Sequence, residues 1–395
     1  MVRRSLQILA LCCGALGLIA PAQAQYRFSA EALFMDANNG GARPLLNGPD
    51  SISSGGNTGF GNGYRFTLGG TYDAFDLELS AARVDNLNYS SSGTLVNPLI
   101  FDDTATNPLF AAPPPNTLAF VNSLYTAATT VAVEDTESER LKAGATWFTN
   151  GTLSFEDYQV NIGSNPNRNQ WRFGLGYRQM RINGSNNVGI SGTFDALDTL
   201  TGAAPGTPGD VPNNALTNDS LTGAGYSLFS GLGNGYDASS TPPTGPDTLL
   251  LYYESGASNA LNGLQASGGY SLTPDSPVDL QLFGRAGIFH NQAQGRVGEY
   301  LVGSVNDDSV YRRTYNSSRG GVAFGGTLGA KAVVPLTDYI SLTGGYEATY
   351  IANVALASSQ LGGLSNSPIG VRRYTVHNGD KLLIHGATLG MTVTW

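Results

Sequence analysis

The sequence predicts an all-β fold, a single transmembrane antiparallel up-and-down β-barrel of about 10–12 strands with long extracellular loops and short periplasmic turns. Three observations predict it. Segments of about ten residues alternate apolar side chains with small or polar ones, the period-two signature of a strand with two different faces. Long and short connections alternate along almost the whole chain. The composition sets 52 Gly, 19 Tyr and 16 Phe among 395 residues against only 13% charged side chains, which is unlike a typical soluble domain. A mean hydropathy of -0.11 excludes a bundle of membrane helices, and beyond residue 24 no apolar run reaches the roughly 18 residues a spanning helix needs. Any membrane span must then be a strand, with its backbone groups paired to neighbouring strands.

Residues 1–24 read as a signal peptide: Arg3 and Arg4 at the start, the apolar run LQILALCCGALGLIA, and Ala22-Gln23-Ala24 as a small-x-small cleavage site. Residues 25–395 are then the exported barrel. Cys12 and Cys13 both lie in the leader, so the mature chain is expected to hold no thiol or disulfide. With a net charge of -9 and a pI near 4.8, the chain offers no basic footprint for nucleic acid. The expected partners are outer-membrane lipid and, if the barrel conducts, ions or small solutes.

The mature start sets Phe28, Ala30, Ala32 and Phe34 against Arg27, Ser29 and Glu31. A Gly-, Asn- and Ser-rich connection runs from about Ala37. Tyr64, Phe66 and Leu68 against Arg65 and Thr67 make the next strand, joined by a short turn at Tyr72 to Phe75, Leu77 and Leu79 against Asp76 and Glu78. A long connection from Val84 contains Pro113-Pro114-Pro115 and leads to ERLKAGATWFT and GTLSFEDYQVNIG. These form one kinked strand or a hairpin turning at Asn150-Gly151, and this choice separates ten strands from twelve. The segment WRFGLGYRQMRI sets Trp171, Phe173, Leu175 and Tyr177 against Arg172 and Arg178.

The longest connection is read from about Asn183 to Ser258. GLQASGGYSL, a turn at Pro274, and Val278, Leu280, Leu282 and Ile288 against Asp279, Gln281 and Arg285 follow, then a connection from about Gln294 to Gly320. Phe324, Leu328 and Ala330 oppose Thr327 and Lys331. After the turn Pro335-Leu336-Thr337-Asp338, Ile340, Leu342, Tyr346 and Tyr350 oppose Ser341, Thr343, Glu347 and Thr349. A last connection from about Ala352 reaches the closing strand, where Leu383, Ala387, Leu389, Met391, Val393 and Trp395 share an apolar face interrupted by His385. The opposite face, from Ile384 to Thr394, is mostly small or hydroxylated. That is the reverse of a small water-soluble barrel, which fills its interior with apolar side chains, and it fits lipid outside and a polar lumen inside.

The runs FGRAGIFHNQA, SLTGGYEATYIANVALA and LLIHGATLGMTVTW, with LNGLQASGGY and WRFGLGYRQM, resemble a bacterial β-barrel family abundant in planctomycetes and related to the Legionella-type pore-forming major outer-membrane protein. The resemblance covers most of residues 26–395. It implies an integral outer-membrane protein with pore activity by analogy. The family pattern has an acidic residue and Asn before the Trp-led strand, where this chain has Gln159-Val160-Asn161, so a lumen ion pair at that place is in doubt.

The side chains set to face the lumen are Glu31, Glu78, Arg172, Arg178, Arg285, Lys331 and Glu347. In a channel they would set ion preference, and in a filled barrel they would pair with one another. His290, His377 and His385 come without HExxH, Cys-based metal spacing or a nucleophile motif, so neither catalysis, metal nor cofactor is expected. Asp102-Asp103 and Asp307-Asp308 read as solvated loop charge. The expected function is an envelope structural barrel or a narrow pore in the bacterial outer membrane. The alternatives are an adhesin or binding barrel acting through its loops, and a barrel enzyme.

Overall fold

The computed structural model describes residues 25–39, 42–50, 52–55, 58–72, 75–100, 116–118, 138–164, 170–197, 248–274, 276–304, 310–366 and 372–395. The leader and both Asp-Asp pairs lie outside them. Ten strands form the wall, numbered here without the short loop strands: β1 (Gln25–Asn39), β2 (Gly61–Thr71), β3 (Phe75–Thr94), β4 (Thr146–Ser164), β5 (Trp171–Leu197), β6 (Thr248–Ser271), β7 (Asp279–Ser304), β8 (Val310–Pro335), β9 (Ile340–Val354) and β10 (Asp380–Thr394). Each pairs antiparallel with its neighbours in sequence, and β10 pairs with β1 from Arg27↔Thr394 to Asn39↔Leu382. The ring is therefore closed, with no free edge in its wall. Both chain ends meet at one rim, where Tyr26 and Trp395 exchange backbone bonds of 2.9 Å each way. The tight connections at Tyr72, Leu272 and Leu336 lie at that rim too, closed by backbone bonds of 2.8, 2.7 and 2.8 Å.

The outer wall near this rim is an apolar band bounded by aromatic side chains. Tyr26 stacks on Trp395 at 6.2 Å and Tyr72 on Phe75 at 4.9 Å, and Trp171 meets Tyr270 in a tilted contact at 4.5 Å between ring centroids. Above them Leu175, Leu264, Leu328 and Leu389 point outward at 67%, 73%, 73% and 54% exposure. Tyr64, Tyr177, Tyr346 and Tyr350 follow, and then the surface turns polar. On β10 the band runs from Trp395 up to His385, and at about 3.3 Å per residue and about 40° of tilt this is about 25 Å, the height of a membrane-spanning apolar belt. Leu389→Arg, close to its middle, is expected to cost about 2–4 kcal/mol of folding stability in lipid vesicles. Thr343→Arg, which faces the cavity, should cost clearly less. Equal losses measured by urea titration would contradict the facing assigned to these strands.

The wall continues far past the band. Strands β5, β7 and β8 are 27, 26 and 26 residues long, more than twice what a membrane requires. Three sequence expectations are corrected here. The connection read from Asn183 to Ser258 is strand at both its described ends, to Leu197 and from Thr248, the one read from Gln294 to Gly320 is strand up to Ser304 and from Val310, and β3 extends to Thr94 instead of ending near Val84. Their alternation was hidden because the facing is inverted: Ile182, Val188 and Ile190 are buried inward while Asn183, Ser185 and Asn187 alternate with them toward water. Below, the barrel obeys membrane rules, and above it obeys those of a soluble barrel.

Asn150-Gly151 is likewise no turn. β4 passes straight through it, and Gly151 is there because a Cβ would lie 2.4 Å from the Tyr89 ring, which lies over it to reach Asn186 on β5 at 2.8 Å. That leaves ten strands, not twelve. Two bulges interrupt the wall, between Val84 and Leu87 and between Ala352 and Val354. In each, an asparagine, Asn86 or Asn353, takes a φ of 61°, a left-handed conformation that Asn tolerates better than most residues.

The lumen changes character above the band. At mid-height Leu33, Met35, Val84, Phe155, Met180, Ile182, Phe289, Ile351 and Leu382 converge in one apolar cluster. Above it the described residues 355–366 and 372–379 of the last connection, expected as a surface loop, fold back inside the ring. A 3-10 turn, Ala357–Gly363, is buried over Ala357 to Leu361. Inward side chains of β6 hold this segment: Asn259 donates to the Ala355 carbonyl at 2.7 Å and accepts from its N–H at 2.8 Å, and Ser255 donates to the Ala357 carbonyl at 2.7 Å. Gln360, fully buried, donates to the carbonyls of Leu356 and His377 at 2.9 and 2.8 Å and accepts from the Tyr374 hydroxyl at 2.8 Å. Burial pushes the Tyr374 phenol well above its ordinary range, so it stays a donor. A second apolar cluster including Leu45, Leu95, Leu99, Leu249, Leu251 and Val297 fills the upper barrel.

Candidate functional site

Beneath the apolar layer lies a cavity of about 530 Å³ lined by every strand of the wall. Its lining includes Gln25, Thr71, Ser164 and Thr394 at strand ends, so it opens at the short-turn rim. Alternation alone brings charge into it. Each lower strand turns its apolar residues to the band and must turn the residues between them inward. All seven charges expected in the lumen are there. Glu31, Glu78, Arg172, Arg285, Lys331 and Glu347 line the cavity, and Arg178 sits in its roof at 2% exposure.

The charges are organised in three groups. Arg27 grips Asp76 through both terminal nitrogens at 2.7 Å each and reaches Glu78 at 3.1 Å. Arg65 donates to Glu31 at 3.0 Å and to Glu347 with a two-pronged contact. Arg178 donates to Asp157 from Nε at 2.8 Å and Nη2 at 2.9 Å, and its remaining Nη1 reaches Thr327 at 3.4 Å. Such planar forks are the strongest form of carboxylate recognition available to a side chain. They cross-link β1 to β3, β2 to both β1 and β9, and β5 to β4. Arg285 lies 3.5 Å from Glu78. The wall glycines make this room: a Cβ at Gly69 would lie 2.6 Å from Arg27 Nε, and one at Gly390 would lie 2.6 Å from Glu31 Cγ.

Arg27, Arg65, Asp76 and Asp157 were not among the expected lumen charges, yet every pair in the three groups contains at least one of them. The doubtful ion pair before the Trp-led strand exists. Its acid is Asp157, two residues upstream of Gln159 on the same inward face, and Gln159 donates to it at 2.6 Å. Gln265 extends the network to Gln159 and Asn161 at 3.1 and 2.7 Å.

The histidines stay apart from this site. His385 faces outward at the top of the band, its Nδ1 2.7 Å from the Tyr346 hydroxyl, and His290 is exposed on the outer wall of β7. His377 lies in the folded-in segment, where its Nε2 is 2.7 Å from Arg43 and 3.2 Å from Asp380. Among the described residues no three His, Cys, Asp or Glu side chains are grouped to hold a metal ion.

No protein-family model matches the chain, and no curated protein matches it. Among solved structures it is similar to the outer membrane protease OmpT from Escherichia coli, with 12% identity over 95% of this chain and 98% of that one and a TM-score of 0.38. It is also similar to Neisserial surface protein A, with 10% identity, coverages of 93% and 96% and a TM-score of 0.25, and to the Pseudomonas putida toluene transporter TodX, with 9% identity, coverages of 95% and 90% and a TM-score of 0.28. Similarity at this level carries no activity, cargo or partner across to this chain.

Proposed function

We propose that this chain is an integral β-barrel of a bacterial outer membrane that works closed, as a structural element of the envelope with a charged vestibule under a stopper. The observation that carries this reading is the apolar layer across the lumen, where Leu33, Met180, Phe289, Ile351 and Leu382 are each at most 1% exposed. An ion would have to leave its water to pass, with no polar group to replace it. The segment held inside by Ser255, Asn259 and Gln360 adds a second barrier.

In this proposal residues 1–24 direct export, the short-turn rim and both chain ends face the periplasm, and the partner of the apolar band is outer-membrane lipid. The resemblance to the barrel family abundant in planctomycetes supports a place in that family. The pore activity of its Legionella-type relatives is left out of the proposal, and so is catalysis.

Two results are expected. In fractionated envelopes the protein resists carbonate extraction and runs faster unboiled than boiled, since a closed barrel resists detergent unfolding. Proteoliposomes placed in isotonic arabinose swell no faster than protein-free ones. Swelling that rises with protein content would overturn the closed reading, and carbonate release would overturn the membrane one.

A further inference from the structure

We propose that the vestibule is a binding site for a small oxyanion, a carboxylate or phosphate group, held between Lys331 and Arg172. The case rests on how the carboxylates are spent. Asp76 and Glu78 bind Arg27, Glu31 and Glu347 bind Arg65, and Asp157 binds Arg178. The Asp279 carboxylate at the rim accepts from Ser271 at 2.5 Å and from Gln281. Lys331 and Arg172 both line the cavity, and neither has a carboxylate within 4 Å among the described residues. They stand within electrostatic reach of each other and of Arg27. Glu31 and Glu78 act on Lys331 as well, and Asp279, Asp76 and Glu78 on Arg172, but only from beyond contact, and Glu31, Asp76 and Glu78 are each already bonded to an arginine.

Two cations that converge in a cavity with low-dielectric walls repel, and an anion between them relieves both. Lys offers three donors and Arg five, most of them unused here. Hydroxyls of Ser29, Thr67, Ser267 and Thr388 line the same space and suit the remaining oxygens of the ligand. The volume of about 530 Å³ falls in the range of small-molecule pockets. The unbroken ring of strand pairs separates this space from the bilayer, so the ligand is a free solute and not the headgroup of a membrane lipid. It enters by the short-turn rim and, on the closed reading above, leaves by the same mouth.

The test is calorimetric titration of the full folded protein in detergent with sodium phosphate and with sodium succinate, against sodium chloride at matched ionic strength. Saturable binding of at least one of the two, with Kd of about 1 mM or tighter, is expected. Lys331→Gln and Arg172→Gln should each weaken it about 10-fold or more, the loss of one charge-assisted contact, while Lys331→Arg keeps most of it. Lys381→Gln, on the outer wall, should change nothing. Unboiled gel mobility reports whether each variant has folded.

The parent protein alone gives a second reading: the bound anion should slow acetylation of Lys331, followed by mass spectrometry, about 10-fold at ten times its Kd. No saturable binding of either anion overturns the site, as does binding unchanged in both Gln variants or acetylation of Lys331 unaffected by the bound anion. Absent binding in a protein that leaves liposomes unswollen sinks the site and spares the closed barrel. Swelling together with binding does the reverse.

Discussion

Replacing Asp157 with alanine will destabilise the folded barrel by about 3–5 kcal/mol, because it strands the Arg178 guanidinium in the roof of the vestibule without a counter-charge. The two side chains are 5% and 3% exposed, so little water reaches the arginine once its partner is gone. Thr327, at 3.4 Å, is a weak substitute. The prediction has an internal control. The double variant Asp157→Ala with Arg178→Met should recover most of the loss, since an apolar pair of similar size needs no compensation. Urea unfolding in lipid vesicles, followed by tryptophan fluorescence, measures both. A single variant within about 1 kcal/mol of the parent would show that the pair is wetter than its burial implies.

The second large effect is expected at Phe289, the largest fully buried side chain of the mid-lumen layer. Its ring lies against bare backbone: a Cβ at Gly287 would be 2.7 Å from it, and one at Gly325 would be 3.2 Å away. Phe289→Ala should cost about 3–5 kcal/mol in the same urea assay, transfer and cavity terms together. Phe289→Leu, which keeps most of the volume, should cost less than half as much. If alanine and leucine cost the same, the layer is not packed as a continuous core.

The lower barrel was legible because lipid is a demanding solvent. Trp171, Phe173, Leu175 and Tyr177, or Ile340, Leu342, Tyr346 and Tyr350, mark one outward face, and alternation then sends Arg172, Arg178 and Glu347 inward without further information. The inward facing of Glu31, Glu78, Arg172, Arg178, Arg285, Lys331 and Glu347 follows from the same rule. What alternation could not give was which inward charges meet. Asp157 pairs with Arg178 across the β4–β5 register, where Gln159 is the direct neighbour of Arg178, and a search confined to Gln159-Val160-Asn161 misses it.

The upper barrel was illegible for the opposite reason. Once the outer face is in water, Ile182, Val188 and Ile190 turn inward among Asn, Ser and Gly, a pattern shared with loops. Nothing in ASSQLGG (Ala357–Gly363) announces burial either. Ser255 and Asn259, about a hundred residues earlier in the chain, bond the backbone of Ala357 and Ala355 at its start, partners that only the closed ring brings near.

The most direct test of closure is electrical. Purified folded protein in a voltage-clamped planar bilayer should give a flat current, with insertion verified by recovery of heat-modifiable protein from the membrane. Reproducible conductance steps from the parent, with a reversal potential that moves toward cation selectivity in Arg178→Glu, would contradict it. They would mean that water runs past Arg178 and through the layer at Phe289.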